Sequence, residues 1–336
     1  MAKDQFADTG YQLPFEKPIN RLQREISELE NLQEESGKDY ASEIRQLRTQ
    51  YVSLLRKTYA QLSPWETVQV ARHPARPLAG DYIQMIAKNF VPIHGDRKFG
   101  DDKALRAGMG RIGSERVMIL GQHKGRDTKE KIACNFGMMH PEGYRKAVRL
   151  CKMAEKFHLP VVTMIDTAGA YPGIGSEERG VAEAIAESMM EMSRLRTPIL
   201  CVVIGEGGSG GAIGIGVGDR VAMLEFSYYS VISPEGCAAI LWRTGEKAPE
   251  AAAALKLTAK SLQQLEVIDD IIPEPLGGAH RNPAETANNL ERHIVHTLRE
   301  LKRVDIDTLL DLRYKRWRKL GKTVDLQLQA QAAAKS

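Results

Sequence analysis

The sequence predicts a layered α/β fold with an N-terminal helical hairpin, on three observations. From Ile19 to Leu62, apolar residues recur at alternating steps of three and four in a charged background, which is typical of paired helices. From Val117 to Val231, short apolar runs alternate with amphipathic stretches. Two glycine-rich segments each follow one of these runs directly. Together these patterns predict parallel strands joined by crossover helices.

The composition is that of an ordinary globular protein. Of the 336 residues, 43% are hydrophobic and 27% are charged, and the formal net charge is +4. The apolar runs are shorter than the roughly 20 residues that a membrane span needs, and the N-terminus lacks the apolar region of a secretory signal. We therefore expect no membrane span, a cytoplasmic location and no requirement for nucleic acid.

The helical arm comes first along the chain. Ser36-Gly37 interrupts its pattern in the middle, which predicts two helices joined by a turn. Nothing in the arm suggests chemistry, so we expect it to serve packing or oligomerisation. A turn-rich stretch, RHPARPLAGDY (Arg72–Tyr82), then separates it from the rest. We place the arm at residues 1–75, the main domain at 76–303 and a basic C-terminal helix and tail at 304–336.

The main domain contains four apolar runs suited to buried strands and two helices between them. The predicted strands are RVMIL (Arg116–Leu120), PVVTMID (Pro160–Asp166), PILCVVIG (Pro198–Gly205) and RVAMLEF (Arg220–Phe226). Pro141 fits the first turn of a helix that ends before Pro160, and a second helix covers Val181 to Leu195.

Two glycine loops are expected at the same edge of this sheet. DTAGAYPGIGSEERG follows Val161–Ile165, and GEGGSGGAIGIG follows Ile199–Ile204, one strand-loop-helix unit further along. The first loop can also be interpreted as a plain strand-to-helix turn with Ser176 as the N-cap.

Four interpretations are open for the second loop. Gly205, Gly207 and Gly210 satisfy the dinucleotide pattern GxGxxG, and Glu225 follows about twenty residues on as a candidate ribose ligand. Ser209 in GGSGG satisfies the hydrolase pattern G-x-S-x-G, without an evident His/Asp pair. Close packing of small residues is the third interpretation. A Walker A loop is excluded because no Lys-Ser/Thr follows the glycines.

The fourth interpretation is backbone chemistry. A glycine-rich turn that enters a helix exposes N–H groups with no side chain in the way, and these can hold an anion or an oxyanion. Removing one such donor from an oxyanion hole typically costs about 2.7–4 kcal/mol of barrier. Two such loops side by side predict sites for two oxyanions.

Several long motifs resemble one family across nearly the whole chain. They are ARHPARP, HKGRDTKEKIACNFGM, PEGYRKA, DTAGAYPGIGSEERG, VIGEGGSGGA, SVISPEGCAAILW and IIPEPLGGAHRNP. The sequence resembles the alpha subunits of the carboxyltransferase component of bacterial-type, multi-subunit acetyl-CoA carboxylase, members of the crotonase-like superfamily. The resemblance implies a crotonase-like (ClpP/crotonase) α/β core of repeated ββα units behind the helical hairpin.

The resemblance also implies an activity and partners. The carboxyl group of carboxybiotin, held on a carrier protein, would pass to acetyl-CoA to form malonyl-CoA, the first committed step of fatty acid biosynthesis. Negative charge would develop on the biotin ureido oxygen and on the thioester enolate oxygen, and biotin N1 itself could take the methyl proton. The implied partners are a beta subunit that carries the zinc, in an α2β2 assembly, the biotin carboxyl carrier protein and an ATP-using biotin carboxylase.

Carried over onto this sequence, the resemblance assigns two sets of site residues. The main oxyanion donors are Gly207, Gly208, Gly210, Gly211 and Ala212. The biotin side is lined by Gly169, Ala170, Tyr171 and Gly173. The family commonly has DTPG where this sequence has Ala168, so the turn loses a fixed φ and gains an N–H, a change that we expect to be tolerated.

Two basic segments are further candidates for anion binding. In HKGRDTKEK, the side chains of Lys124 and Arg126 could contact CoA phosphates or a carboxylate, or the segment could be a solvated basic loop. RYKRWRK (Arg313–Lys319) is interpreted either as a solvated helix end or as the site of a polyanion-binding module whose affinity would depend strongly on salt.

No metal is expected on this chain. The four cysteines are scattered without a C-x-x-C pair or a close histidine, which predicts buried thiols. His293 and His296 lie three residues apart on a helix that is predicted to start at Asn282-Pro283, with Glu285 as its capping-box partner, but no third ligand is in view.

Overall fold

The computed structural model describes residues 11–321, so the two ends of the chain, residues 1–10 and 322–336 of the predicted arm and basic tail, lie outside the described residues. The strands of the described part are β1 (Ala87–Pro92), β2 (Leu105–Ile112), β3 (Glu115–Gln122), β4 (Val161–Thr167), β5 (Ile199–Gly208), β6 (Arg220–Leu224), β7 (Tyr228–Ser230) and β8 (Asp270–Ile272). The helices there are α1 (Lys17–Ser36), α2 (Ala41–Ala60), α3 (Pro64–Ala71), α4 (Ala79–Ile86), α5 (Thr128–Ala133), α6 (Pro141–Lys156), α7 (Ile174–Glu178), α8 (Val181–Arg194), α9 (Ser209–Ile213), α10 (Pro234–Trp242), α11 (Ala248–Leu255), α12 (Ala259–Gln264), α13 (Pro283–Leu301) and α14 (Ile306–Arg318).

These strands form a mixed sheet in the order β1-β2-β3-β4-β5-β6-β8, and β7 pairs with the end of β5. The first three strands are antiparallel neighbours, whereas β3, β4, β5, β6 and β8 run parallel. Parallel strands end at the same edge of a sheet. The segments that follow β4 and β5 therefore emerge side by side, as the sequence predicted.

The sheet is covered on both faces, which explains why its central strands are continuous apolar runs. On one face, Val161 and Val203 pack with buried residues of α6 and α8. On the other face, Val162 and Val202 pack with buried residues of α4 and α13. The result is a three-layer α/β/α arrangement that holds the ends of β4 and β5 rigidly.

The predicted strands correspond to β3, β4, β5 and β6, and the predicted helices to α6 and α8, so these predictions are confirmed. Two segments differ. β5 continues to Gly208 where a loop was expected, because Glu206–Gly208 pair with Tyr228–Ser230 of β7. The turn-rich stretch ends earlier than predicted, because Asp81 accepts a hydrogen bond from Leu78 N (2.7 Å) and caps α4.

The helical hairpin is confirmed and is fixed to the main body of the protein. Gly37 ends α1 in a left-handed conformation (φ 66°), as expected for a C-terminal cap. Glu16, just before α1, accepts hydrogen bonds from the Tyr59 hydroxyl (2.7 Å) and from Arg281 Nη2 (2.7 Å). The arm therefore makes buried polar contacts with itself and with the segment that precedes α13.

The cysteines agree with the predicted buried thiols at three positions. Cys134, Cys151 and Cys201 are buried, Cys237 is partly exposed, and all four are free. Burial raises the thiol pKa of Cys134 to about 11 and those of Cys151 and Cys201 to about 12. In the described ranges, no group of three or more potential ligands is arranged to hold a metal ion. None of the helices seen between residues 11 and 321 combines the length and apolar character needed to cross a bilayer.

Two arginines of the basic segment on α14, Arg313 and Arg316, form ion pairs within the protein. At these two positions the segment is therefore neither a solvated helix end nor a polyanion site, and both interpretations were wrong there. Arg313 is buried and contacts both Asp219 carboxylate oxygens (2.7 and 2.8 Å). It also donates to the carbonyls of three residues, Met192, Leu195 and Thr197. Arg316 pairs with Asp269 at 2.9 Å. The charge pattern alone gave no sign of these distant acidic partners.

Replacing Arg313 by methionine is expected to lower the free energy of unfolding by about 3 kcal/mol, because Asp219 would keep a buried charge without its partner. Chemical denaturation of the purified chain measures this. Lys315→Met removes the same formal charge from the same helix but breaks an exposed pair with Asp311, and should change stability little. Similar losses for the two variants would contradict the structural role of Arg313.

Candidate active site at the paired glycine turns

Two glycine turns lie in direct backbone contact where β4 and β5 end. We call residues 168–173 the first turn and residues 208–213 the second turn. A Cβ atom at Gly208 would lie 2.2 Å from the Ala168 oxygen, and one at Gly211 would lie 2.2 Å from the Gly169 carbonyl carbon. No side chain fits at such distances from rigid backbone. Glycine at these two positions therefore allows the turns to touch.

The second turn converts a strand directly into a short helix. β5 ends at Gly208, Ser209 adopts a left-handed conformation (φ 50°), and α9 begins there. In a helix with this start, the N–H groups of Ser209, Gly210 and Gly211 have no acceptor within the helix, and in the described part of the chain Ala212 N forms no hydrogen bond to the Gly208 carbonyl. A Cβ at Gly210 would meet only Ile185 Cδ1, at 3.5 Å. The backbone is thus open to an approaching group.

The first turn is held in place by hydrogen bonds with Thr167 and Met139. The Thr167 hydroxyl donates to the Gly169 carbonyl (2.7 Å) and accepts from Gly169 N (3.2 Å). Tyr171 N donates to the Met139 carbonyl (3.1 Å), which ties the turn to the segment before α6. The Tyr171 ring lies against Gly173, and a Cβ at Gly169 would meet no atom within 4 Å. This turn is fixed in position and also leaves open space at Gly169.

The prediction that Ser176 caps a helix was wrong. α7 begins at Ile174 after Gly173, so Ser176 lies inside it, and its buried hydroxyl is 2.8 Å from His140 Nδ1. The next helix, α8, starts after Gly180, whose left-handed conformation (φ 74°) separates the two helices. The serine therefore joins α7 to the start of α6.

A cluster of buried charges lies at the ends of β3, β4 and β5. The Lys124 ammonium is 2.8 Å from Asp166 Oδ1 and also pairs with the Glu206 carboxylate. Glu206 Oε1 accepts from Arg72 Nε (2.7 Å) and from the Tyr228 hydroxyl (2.6 Å). Burial alone would raise the pKa of Glu206, but Lys124 and Arg72 outweigh it and lower the pKa to about 2. Glu206 is therefore ionised at neutral pH.

The predicted basic site is divided between two environments. The charge of Lys124 is neutralised inside the protein by Asp166 and Glu206, so its interpretation as part of a solvated loop was wrong. Arg126 pairs with Asp81 next to the start of α4. A neighbouring cavity of about 540 Å³ is lined by charges of both signs, the cations Lys103, Arg106 and Lys129 among them and the carboxylates Asp101, Asp127 and Glu130. Lys103 and Arg106 lie outside the basic segment, and Arg106 pairs with Glu130.

The dinucleotide interpretation of the second loop was wrong. Gly205 and Gly207 are strand residues of β5, so the chain does not turn at the first glycine of the pattern. The missing side chain at Gly205 makes room for the Asp166 carboxylate, whose Oδ1 would be 2.5 Å from a Cβ there. Glu225, which follows β6, accepts a hydrogen bond from Glu274 N (3.1 Å). Close packing thus accounts for Gly205.

The hydrolase interpretation also lacks its geometry. Ser209 does occupy a sharp strand-to-helix turn with positive φ, as a nucleophile of that class would. Among residues 11–321, however, its exposed hydroxyl has no hydrogen bond to a histidine or a carboxylate. A serine nucleophile needs an adjacent general base. The arrangement at Ser209 does not supply one.

The two histidines of α13 do not share a ligand position. The helix starts as predicted, with Glu285 N donating to the Asn282 side chain at 3.1 Å. His293 lies 4.0 Å from the Asp270 carboxylate, whereas His296 is exposed and pairs with Glu300 at 3.2 Å.

Exposed aliphatic side chains lie next to both turns, and others lie on α10. Ser230 of β7 pairs with Gly208, and the next residue, Val231, is 75% exposed. On α10, Ile240 and Leu241 are also exposed, as is Ile174 after the first turn. Large exposed aliphatic groups next to a site are typical of a surface that another protein covers.

Comparison with known proteins identifies close relatives over almost the full chain. The family described as acetyl co-enzyme A carboxylase carboxyltransferase-like matches residues 12–321. The acetyl-coenzyme A carboxylase carboxyl transferase subunit alpha of Rhodopirellula baltica is 54% identical over 312 residues, which are 93% of this chain and 98% of the relative. The proteins of the same name from Vibrio campbellii and Geobacter metallireducens are each 53% identical, over 92% and 93% of this chain and 98% of each relative.

Solved structures share the fold at lower identity. Transcarboxylase 12S is 20% identical with a TM-score of 0.52, over 63% of this chain and 41% of that longer chain. The beta subunit of P. aeruginosa geranyl-CoA carboxylase is 17% identical with a TM-score of 0.52, over 78% of this chain and 47% of that chain. A chain of a Pseudomonas malonate decarboxylase hetero-tetramer is 17% identical with a TM-score of 0.54, over 71% and 91%. These neighbours confirm the predicted crotonase-like α/β class.

Proposed function

Because the chain belongs to the acetyl co-enzyme A carboxylase carboxyltransferase-like family, we propose that it is the alpha subunit of a carboxyltransferase that forms malonyl-CoA from acetyl-CoA. The carboxyl group comes from carboxybiotin on a carrier protein. The observation that carries this proposal is the backbone contact between the two glycine turns, which places two sets of small, open backbone segments side by side at one sheet edge. A reaction in which negative charge develops on two oxygens is stabilised by two sets of hydrogen-bond donors, and the two turns can each provide one.

The chain's own contribution is electrostatic. The N–H groups of Gly210 and Gly211 at the start of α9, with Gly208 and Ala212 on either side, serve as donors to a developing oxyanion. Gly207 supports them from within the strand, where a Cβ would collide with the Tyr229 ring at 2.8 Å. The donors are held by a rigid sheet edge, so no reorganisation is needed when charge develops.

The first turn suits the biotin side. Gly169 leaves open space next to the second turn, and Ala170, Tyr171 and Gly173 continue that surface. When bound, carboxybiotin supplies the carboxyl group and its ureido nitrogen accepts the proton. This chain's residues orient the ring and exclude water, and none of them needs to act as a general base.

Partners complete the site. The exposed Val231 next to the second turn, and the exposed Ile240 and Leu241 of α10, are proposed to lie against the beta subunit, which brings the zinc and most CoA contacts in an α2β2 assembly. The biotin carboxyl carrier protein and biotin carboxylase act with this complex, and a cytoplasmic location is proposed with them. The CoA contacts expected of Lys124 and Arg126 stay a prediction, and both cations have carboxylate partners within this chain.

The proposed function is tested by carboxyl transfer from malonyl-CoA to biocytin. The chain is assayed alone, and then mixed with a zinc-ribbon beta-type subunit from the same source, which is also assayed alone. We expect transfer only in the mixture. A mixture that forms a stable complex by size-exclusion chromatography but transfers no carboxyl group would overturn the proposal.

A further inference from the structure

We infer that Gln122 is a positioning residue that fixes the second turn relative to the first, an inference that rests on the proposed function. Gln122 is the last residue of β3, and its side chain is fully buried. Its Nε2 donates to the Gly211 carbonyl at 2.7 Å, and its Oε1 accepts from Asp166 N at 3.1 Å. A single amide thus joins the end of β4 to the helix that follows β5.

The second turn needs outside support because α9 is weak by itself. A helix of five residues is far below the length at which isolated helices are stable. Two of its residues, Gly210 and Gly211, disfavour a helix relative to alanine because glycine loses more backbone freedom. Donor groups must nonetheless be held to within about 0.5 Å to act on a transition state. The sequence of α9 cannot provide that precision without contacts from other elements.

The carbonyl that Gln122 binds is not used by the regular helix pattern. Ile215 N, four residues after Gly211, donates instead to Ala212 O (3.3 Å), because the helix tightens as it ends. Gln122 Nε2 therefore donates the hydrogen bond that the buried Gly211 carbonyl does not receive from Ile215 N. Since a peptide unit is planar, holding the Gly211 oxygen also fixes the orientation of the peptide that joins Gly211 to Ala212.

The second hydrogen bond of Gln122 connects the turn to the buried charges. Gln122 Oε1 accepts from Asp166 N, and the Asp166 carboxylate in turn accepts a hydrogen bond from Glu206 N (2.9 Å). Glu206 lies two residues before Gly208, where the second turn begins. An amide is the side chain that can donate at one end and accept at the other without a charge. Gln122 therefore couples three strand ends and α9 in one network.

The test compares Gln122→Met and Gln122→Glu with the unchanged chain, each in complex with the beta-type subunit. Methionine has a similar volume but makes neither bond. We expect kcat for transfer from malonyl-CoA to biocytin to fall about 10- to 100-fold, since small displacements of catalytic groups cost that much, while both KM values stay within about twofold. Thr197→Val is the matched control. It removes a buried hydroxyl that donates to the Leu159 carbonyl (2.8 Å) at the opposite end of the sheet, and kcat should stay within about twofold.

Gln122→Glu distinguishes bonding from packing. An ionised carboxylate cannot donate to the Gly211 carbonyl, whereas a protonated one can. Lowering the pH from 8 to 6 is therefore expected to raise the kcat of this variant relative to the unchanged protein, while the ratio for Gln122→Met stays constant. The ionisable groups connected to this position through Asp166 are Lys124, Glu206, Arg76 and Tyr82. They are common to all variants, so the ratio removes their own titration.

The outcomes separate this inference from the function on which it rests. A Met variant with unchanged kcat, or with a raised KM and unchanged kcat, would overturn the inference while the function stands. Inactivity of the unchanged complex would overturn the function and this inference with it. If Gln122→Met fails to form the complex, a kcat ratio for Gln122→Glu that does not change with pH would also overturn it.

Discussion

Replacing Gly211 by alanine is expected to reduce carboxyl transfer by at least about 100-fold, the cost of displacing catalytic groups by about 1 Å. The added Cβ would lie 2.2 Å from the Gly169 carbonyl carbon and 2.4 Å from its oxygen. Both atoms belong to backbone that Thr167 and Met139 hold in place, so the turns must move apart. The loss is measured as kcat for transfer from malonyl-CoA to biocytin in the complex with the beta-type subunit.

The matched control for this prediction is Gly218→Ala. A Cβ at Gly218 would also be crowded, 2.8 Å from Cys201 Sγ and 3.0 Å from the Ile199 carbonyl, but at the opposite end of the sheet. We expect this variant to be less stable and to keep kcat within about threefold. If both variants lost activity in proportion to their loss of stability, the contact between the turns would have no particular role in catalysis.

Replacing Glu206 by glutamine is expected to lower the free energy of unfolding by about 3 kcal/mol at pH 7. The neutral glutamine loses the stabilisation that the folded protein gives to the charged carboxylate. In the folded protein Lys124 and Arg72 lower the pKa of Glu206 to about 2 from an ordinary 4.5. A lowered carboxyl pKa adds stability that is fully present above the unfolded pKa and is lost as the pH falls through the folded pKa. The difference between the two proteins should therefore shrink as the pH falls from about 5 towards 2.

Urea denaturation at a series of pH values between 7 and 3 measures this difference. Glu266→Gln is the control, because Glu266 is largely exposed and pairs with Lys319 at 3.5 Å. Because that pair is exposed to solvent, its loss should change the free energy of unfolding little. A constant stability gap for Glu206→Gln over the whole pH range would mean that the charge of Glu206 is not what stabilises the sheet edge.

The strands of the fold differ in how visible they are from sequence. β3 to β6 were predicted because strands buried on both faces are continuous apolar runs. β7 and β8 have three residues each, and β1 contains Pro92 and is largely exposed, so none of them carries such a signal. β2 contains Gly108 and Gly110, which resemble a loop. Gly108 is required there because a Cβ would lie 2.2 Å from the Val91 carbonyl oxygen of β1.

The residues of the site also differ in whether they can be predicted from the sequence. Its glycines were predictable because a need for bare backbone leaves a dense local pattern in the chain. Gln122 and Glu206 are single polar residues within or next to apolar runs, and their partners are distant in sequence. The Gly211 carbonyl is 89 residues from Gln122, and Arg72 is 134 residues from Glu206. Only the folded sheet brings such groups together, and for the same reason the buried ion pair of Arg313 was missed.

The claim that the second turn supplies backbone donors is tested most directly by a crystal structure of the complex with the beta-type subunit, with biocytin and a CoA thioester bound. We predict that the ureido oxygen or the thioester oxygen lies within about 3.2 Å of a backbone nitrogen of residues 209–212, the normal length of such a hydrogen bond. If both oxygens were bound by other groups, with no backbone nitrogen of the second turn in reach, the claim would be wrong.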